Sequence, residues 1–164
     1  MCTFIEKWFK LTAELLCYAA VEGTPEMMYL LWRNYPSGLK KTKDTFILHT
    51  AVACNVVENV SVLVASDLTG LDVNELPSKN FDKSSRGEAA RQTALHLAAW
   101  DDKIEIVNLL LKGGARIDIL DSEGRTAPEK ARLNNQFEVE KLMLAICTKG
   151  KDVKPRGKMS GIWK

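Results

Sequence analysis

Two histidines, His49 and His96, one pair of adjacent carboxylates, Asp101 and Asp102, and four cysteines are the residues of this 164-residue chain whose types could do chemistry. A histidine can serve as a general base, paired carboxylates can divide acid and base roles, and cysteine with histidine can hold zinc. None of these has the spacing it needs. Adjacent residues on a helix point in different directions, so Asp101 and Asp102 do not converge on one reacting atom. Cys2, Cys17, Cys54 and Cys147 are far apart, with no Cys-x-x-Cys pair, which excludes the usual zinc spacings and argues against a disulfide framework. No Gly-x-x-x-x-Gly-Lys-Ser/Thr loop is present, and Gly113-Gly114 sits where a helix ends, whereas a phosphate cradle begins one. The chain therefore predicts no catalytic residue, no metal, no cofactor and no small-molecule substrate.

The histidines have a structural use instead, visible in Thr93-Ala94-Leu95-His96-Leu97-Ala98-Ala99. Thr93 can accept a bond from a free backbone N–H at a helix start, and its hydroxyl lies within reach of the His96 ring one turn on. Ala98 and Ala99 let a neighbouring helix approach closely, and Ile106, Val107, Leu110 and Leu111 recur at the spacing of a buried helical stripe. Gly113-Gly114 then supplies left-handed backbone to stop that second helix. His49 holds the same place in Phe46-Ile47-Leu48-His49-Thr50-Ala51, followed by Val60, Leu63 and Val64. The frame recurs as Leu16-Cys17-Tyr18-Ala19-Ala20, followed by Met27, Met28, Leu30 and Leu31, with Cys17 at the histidine position as a small buried hydrophobe. It recurs again as Gly124-Arg125-Thr126-Ala127-Pro128, followed by Val139, Leu142 and Met143, with Glu129 replacing the histidine.

The anchors Ala19, Ala51, Ala98 and Ala131 are separated by 32, 47 and 33 residues, the second step being one period plus an insertion of 14. Such a period means a solenoid. The expected fold is all-α, about four helix-turn-helix repeats at about 12–42, 43–74, 91–123 and 124–148, with a long inserted loop at 75–90. Residues 1–11, with Phe4, Ile5, Trp8 and Phe9, are expected to form a helix capping the first repeat, Trp8 and Phe9 being alternatively partner contacts. The insertion carries Pro77, Asn80, Asp82, Ser84, Ser85 and Gly87, a loop composition that fits either added recognition surface or tolerated drift.

Charge is divided unevenly. Residues 149–164 hold six basic groups and one acid; subtracting these from the totals of 23 and 21 leaves 17 basic and 20 acidic groups in residues 1–148, a net of −3. A basic flexible tail of this kind is most often simply solvated, which disfavours a nucleic-acid partner. A hydrophobic content of 46% suits a soluble core, and no run approaches the roughly 18 apolar residues of a membrane span. Glu6, Lys7 and Lys10 interrupt any signal-peptide core, so an intracellular protein with no membrane partner is expected.

The Thr-Ala-Leu-His unit resembles the ankyrin repeat, whose pattern is Thr-Pro-Leu-His, with only proline replaced, by Ala94. The resemblance implies a curved array with finger loops along a groove that holds another protein. Over residues 12–148 the chain is further similar to the short inhibitory kappa-B-like ankyrins (vankyrins) of polydnaviruses. The small number of units, Leu71-Asp72-Val73-Asn74 ahead of the enlarged connection, and the well-formed unit after it carry this likeness. It implies sequestration of a host Rel (NF-kappa-B-type) transcription factor, suppression of insect immune signalling, and a place in the host cytoplasm, with the nucleus as a second compartment. By position in the repeat, the expected partner-binding residues are Asn55, Val56, Trp100, Asp101, Asp102, Asn134 and Asn135 at the ends of the inner helices. Arg91, Gln92, Asp121, Ser122 and Glu123 on the fingers complete them. Trp100 stands out because aromatics dominate interface energy, filling a gap between repeats being its other use. The alternative is an adaptor that binds a different host protein, such as a ubiquitin-ligase or scaffold component.

Overall fold

The computed structural model describes residues 15, 18–34, 47–65, 71–76 and 91–149, with residues 32 and 147–149 described by backbone alone. They form a helical run at 18–22 (α1), then α2 (Pro25–Asn34), α3 (Ile47–Ala53), α4 (Val57–Val64), α5 (Ala94–Trp100), α6 (Ile104–Lys112), α7 (Ala127–Leu133) and α8 (Phe137–Lys149). Consecutive helices make four pairs, and the described residues include no strand. The expected capping helix at 1–11, the insertion from 77 to 90 and the tail from 150 onward lie outside the described residues.

The second, third and fourth pairs are closed by the same tight turn, whereas in the first the Gly23 N–H donates to the Ala19 carbonyl at 3.0 Å. The N–H groups of Val56, Lys103 and Gln136 donate to the carbonyls of Ala51, Ala98 and Ala131 at 3.1, 3.0 and 2.8 Å. Asn55, Asp102 and Asn135 stand before those donors in left-handed backbone, at φ 60°, 58° and 62°. Asn and Asp tolerate this region better than other residues with a Cβ, which is why these types recur there.

The pairs stack in two layers. The first helices pack side by side, α3 on α5 and α5 on α7, while the second helices pack α2 on α4, α4 on α6 and α6 on α8. Ala19, Ala51, Ala98 and Ala131 are fully buried on the first helices, where a larger side chain would hold neighbouring elements apart. Leu63, Leu110 and Met143 are equally buried in the second layer. At the end of α6 the two glycines do different work. Gly114 has the expected left-handed backbone, φ +87°, and lets Ala115 N–H bond the Leu110 carbonyl at 2.9 Å. Gly113, contrary to expectation, is right-handed at φ −79°; a Cβ there would run into the Val64 side chain of the preceding pair.

Candidate protein-binding surface

Local hydrogen bonding explains where the polar residues go. The Thr93 N–H donates to His96 Nδ1 at 3.2 Å, and the Thr93 hydroxyl lies 2.7 Å from the same nitrogen. With Nδ1 accepting, Nε2 carries the proton, and it donates to the Arg125 carbonyl of the next pair at 3.1 Å. His49 repeats the outward half of this arrangement, its Nε2 reaching the Gln92 carbonyl at 2.9 Å. Burial disfavours the charged ring in both. It pushes His49 down to about 4 despite the opposing bond to Gln92, and it lowers His96 against the pull of the Arg125 carbonyl and the Asp121 charge. These are neutral structural rings, each with Nε2 committed across a junction.

The twelve expected surface residues separate into two groups at opposite ends of the first helices, which at seven residues are about 10 Å long. At the finger end, Arg91 is exposed in left-handed backbone, φ 75°, at the position Gly124, φ 73°, fills in the next unit. Gln92 is buried and serves His49 through its carbonyl. Asp121 is turned inward: one carboxylate oxygen accepts the N–H groups of Glu123 and Arg125, both at 2.9 Å, and the other accepts Lys130 Nζ at 3.0 Å. Burial raises its pKa, but these donors outweigh that effect and hold the carboxyl below the usual range. Gln92 and Asp121 therefore shape the fingers from inside and leave Arg91, Ser122 and Glu123 as their exposed members. Glu123 pairs with Arg125 at 2.5 Å.

At the turn end, Val56 is half-buried and caps α4, while Asn55, Asp102 and Asn135 hold the turns. Asp101 ends α5 and pairs with Lys103 at 3.0 Å. Trp100 is 40% exposed; Asn134 Nδ2 donates to its backbone carbonyl at 2.7 Å, and Lys130 Nζ lies 5.7 Å from its ring centroid. The structure thus joins Trp100, Asn134 and, through Lys130, the finger residue Asp121. Lys130 stands where the third unit has Leu97, and that substitution was the signal pointing to a special site. Leu133, 56% exposed at the position of Trp100 in the next unit, was legible from the same register. Fingers are tied to one another too, Asn74 accepting from Arg116 N–H at 2.8 Å and donating to the Gly114 carbonyl at 3.2 Å.

Among the described residues no cluster of His, Cys, Asp or Glu could hold a metal ion, and no helix is long and apolar enough to cross a membrane. What remains is a two-layer helical stack with a half-exposed aromatic on its first-helix layer, the form of a protein-binding repeat module. A family model described as ankyrin repeats (3 copies) matches residues 16–121 and again 72–156, and the chain belongs to the ankyrin-repeat family, whose members act generally as protein-interaction modules. It is also 38% identical over 110 residues to mouse Rabankyrin-5. That alignment spans 66% of this chain but 9% of the mouse protein.

Proposed function

We propose that the chain holds a partner protein along its first-helix layer and finger loops, and that this partner is a host Rel (NF-kappa-B-type) transcription factor kept inactive by the contact. The first half rests on Trp100: its backbone is held by Asn134 and its half-exposed ring is met by Lys130, so it offers an aromatic anchor at little ordering cost, and Leu133 adds an exposed apolar side chain at the same position of the neighbouring helix. The Rel partner is supported by the likeness to short inhibitory kappa-B-like viral ankyrins at Leu71-Asp72-Val73-Asn74 and the enlarged connection after it. The net −3 of residues 1–148 suits a basic partner segment, so association should weaken as salt rises. Action in the host cytoplasm, with the nucleus as a second compartment, belongs to the same proposal. A second reading is an adaptor for a different host protein, such as a ubiquitin-ligase component. It is favoured by the mouse relative, in which the matching units form a small part of a long chain.

The test is capture from insect haemocyte lysate on the immobilised full chain, identified by mass spectrometry, beside Trp100→Ala. A Rel protein recovered by the wild type and lost with the variant supports the whole proposal. A different protein lost with the variant removes the Rel partner and keeps the binding surface. If every captured protein is retained by the variant, the Trp100 surface is not the binding site.

A further inference from the structure

At the turn end of the second and third units, beside Trp100, two of the residues described above, Asn55 and Asp102, also border a cleft of their own. The α3–α4 turn and the α5–α6 turn flank an open cleft lined by Ala53, Asn55, Val57, Asp102, Ile104 and Glu105 among others. Ile104 is 42% exposed, Ala53 is exposed and Val57 half-buried, so the cleft has an aliphatic floor. Its rim is acidic. Lys103, which also borders it, is taken: Nζ donates to the Val52 and Ala53 carbonyls at 2.7 and 3.0 Å and pairs with Asp101 at 3.0 Å. An ammonium has three donors, so this one has none left, and its side chain is only 12% exposed. Asp102 and Glu105 are exposed and, among the described residues, make no side-chain hydrogen bond or ion pair. The backbone does not ask for charge at 102. The equivalent turn residues Asn55 and Asn135 reach the same left-handed conformation with a neutral amide.

We propose that this cleft docks a short basic segment of a partner protein, an arginine or lysine lying between Asp102 and Glu105 and an adjoining aliphatic side chain resting on Ile104 and Val57. Charge complementarity selects the occupant: two unpaired carboxylates repel acidic peptides and nucleic-acid phosphates, and an aliphatic floor offers nothing to a bare cation. Trp100 and Leu133 take no part, so this surface can be lost while the first-helix surface is kept.

The experiment is a titration of the isotope-labelled full chain, followed by amide NMR, with a short capped peptide alternating arginine and leucine. The same peptide with glutamate in place of arginine is the control. Saturable shifts confined to residues 53–57 and 101–106 with the arginine peptide alone are expected. The double change Asp102→Asn and Glu105→Gln should weaken binding about five-fold, the scale of two partly exposed ion pairs. Asn at 102 keeps the turn; should the double variant nonetheless melt early, Glu105→Gln alone must still weaken binding. Shifts centred on the fingers, an equal response to the glutamate peptide, or unchanged affinity in a folded variant would overturn the proposal.

Discussion

The third and fourth helix pairs are built on one frame and differ in what covers them. Ala99 and Val107 of the third pair are fully buried under α7 and α8. One period later the fourth pair has Arg132, exposed, and Glu140, half-buried, and no further described helix follows α8 to cover them. The helix entries diverge likewise. His96 uses one ring nitrogen to close its own helix and the other to reach the Arg125 carbonyl of the next pair. Glu129 does only the first task, its carboxylate accepting the Thr126 N–H at 2.8 Å and hydroxyl at 3.0 Å. A repeat position is thus set by two demands, closing the helix and meeting the neighbour, and where the second is absent a simpler side chain serves.

The largest effect should come from charge forced between layers. Leu110→Asp places a carboxylate in a fully buried site and should abolish cooperative urea unfolding followed by circular dichroism, a loss above about 4 kcal/mol. Leu144→Asp, at a half-exposed position of the fourth pair, should cost far less, no more than about 1 kcal/mol. Equal damage from the two changes would break the contrast between buried and half-exposed positions.

Next comes Lys130, which replaces the leucine of the third pair and is only 6% exposed in its contact with the buried Asp121. Lys130→Leu restores the third pair's residue but strands the carboxylate, at a cost of about 3 kcal/mol. Adding Asp121→Asn removes the stranded charge and should recover most of that loss in denaturant titrations. A double variant no better than the single one would mean that Lys130 acts through Trp100 alone.

Acid should act on the junction the fourth pair lacks. His49 has an ordinary pKa near 6.5 when unfolded and about 4 when folded, so the unfolded chain binds the extra proton between those values. This contribution is fully present above pH 6.5 and is lost as pH falls towards 4, an effect of at most about 3 kcal/mol. Unfolding free energies across that window should show a slope that His49→Gln reduces. An unchanged slope would place the titration elsewhere.

The fold was legible because alanine and leucine at fixed spacing have one packing solution, and the registers of Ala19, Ala51, Ala98 and Ala131 agree between sequence and structure. The binding residues were legible only in part. Asn55, Asp102 and Asn135 read as surface groups, yet their types also answer a left-handed turn, and sequence does not separate the two reasons. Asp121 looked like a finger carboxylate because its partner Lys130 lies nine residues away on the next helix, beyond any local pattern. Lys103 reads as an ordinary surface cation until Val52 and Ala53, in the preceding unit, are seen to bind it.

The smallest effect tests the comparison most directly, because it sets His96 against Glu129 at one position. Both side chains accept the N–H of the threonine three residues before them, so truncating either removes a helix cap worth up to about 1 kcal/mol. His96→Ala also strands the Arg125 carbonyl and empties a buried site, raising its cost to about 1–3 kcal/mol. Glu129 is exposed, and its loss leaves Thr126 open to water, so Glu129→Ala should not exceed the cap alone. Restoring the cap without the reach separates the terms: His96→Glu keeps an acceptor for the Thr93 N–H but offers no donor to Arg125. If the interlock is what the third pair adds, His96→Glu should be no more stable than His96→Ala in urea titrations, its buried charge adding to the loss. A His96→Glu chain as stable as wild type would mean that the cap alone matters at both positions and that the reach to the next unit contributes nothing.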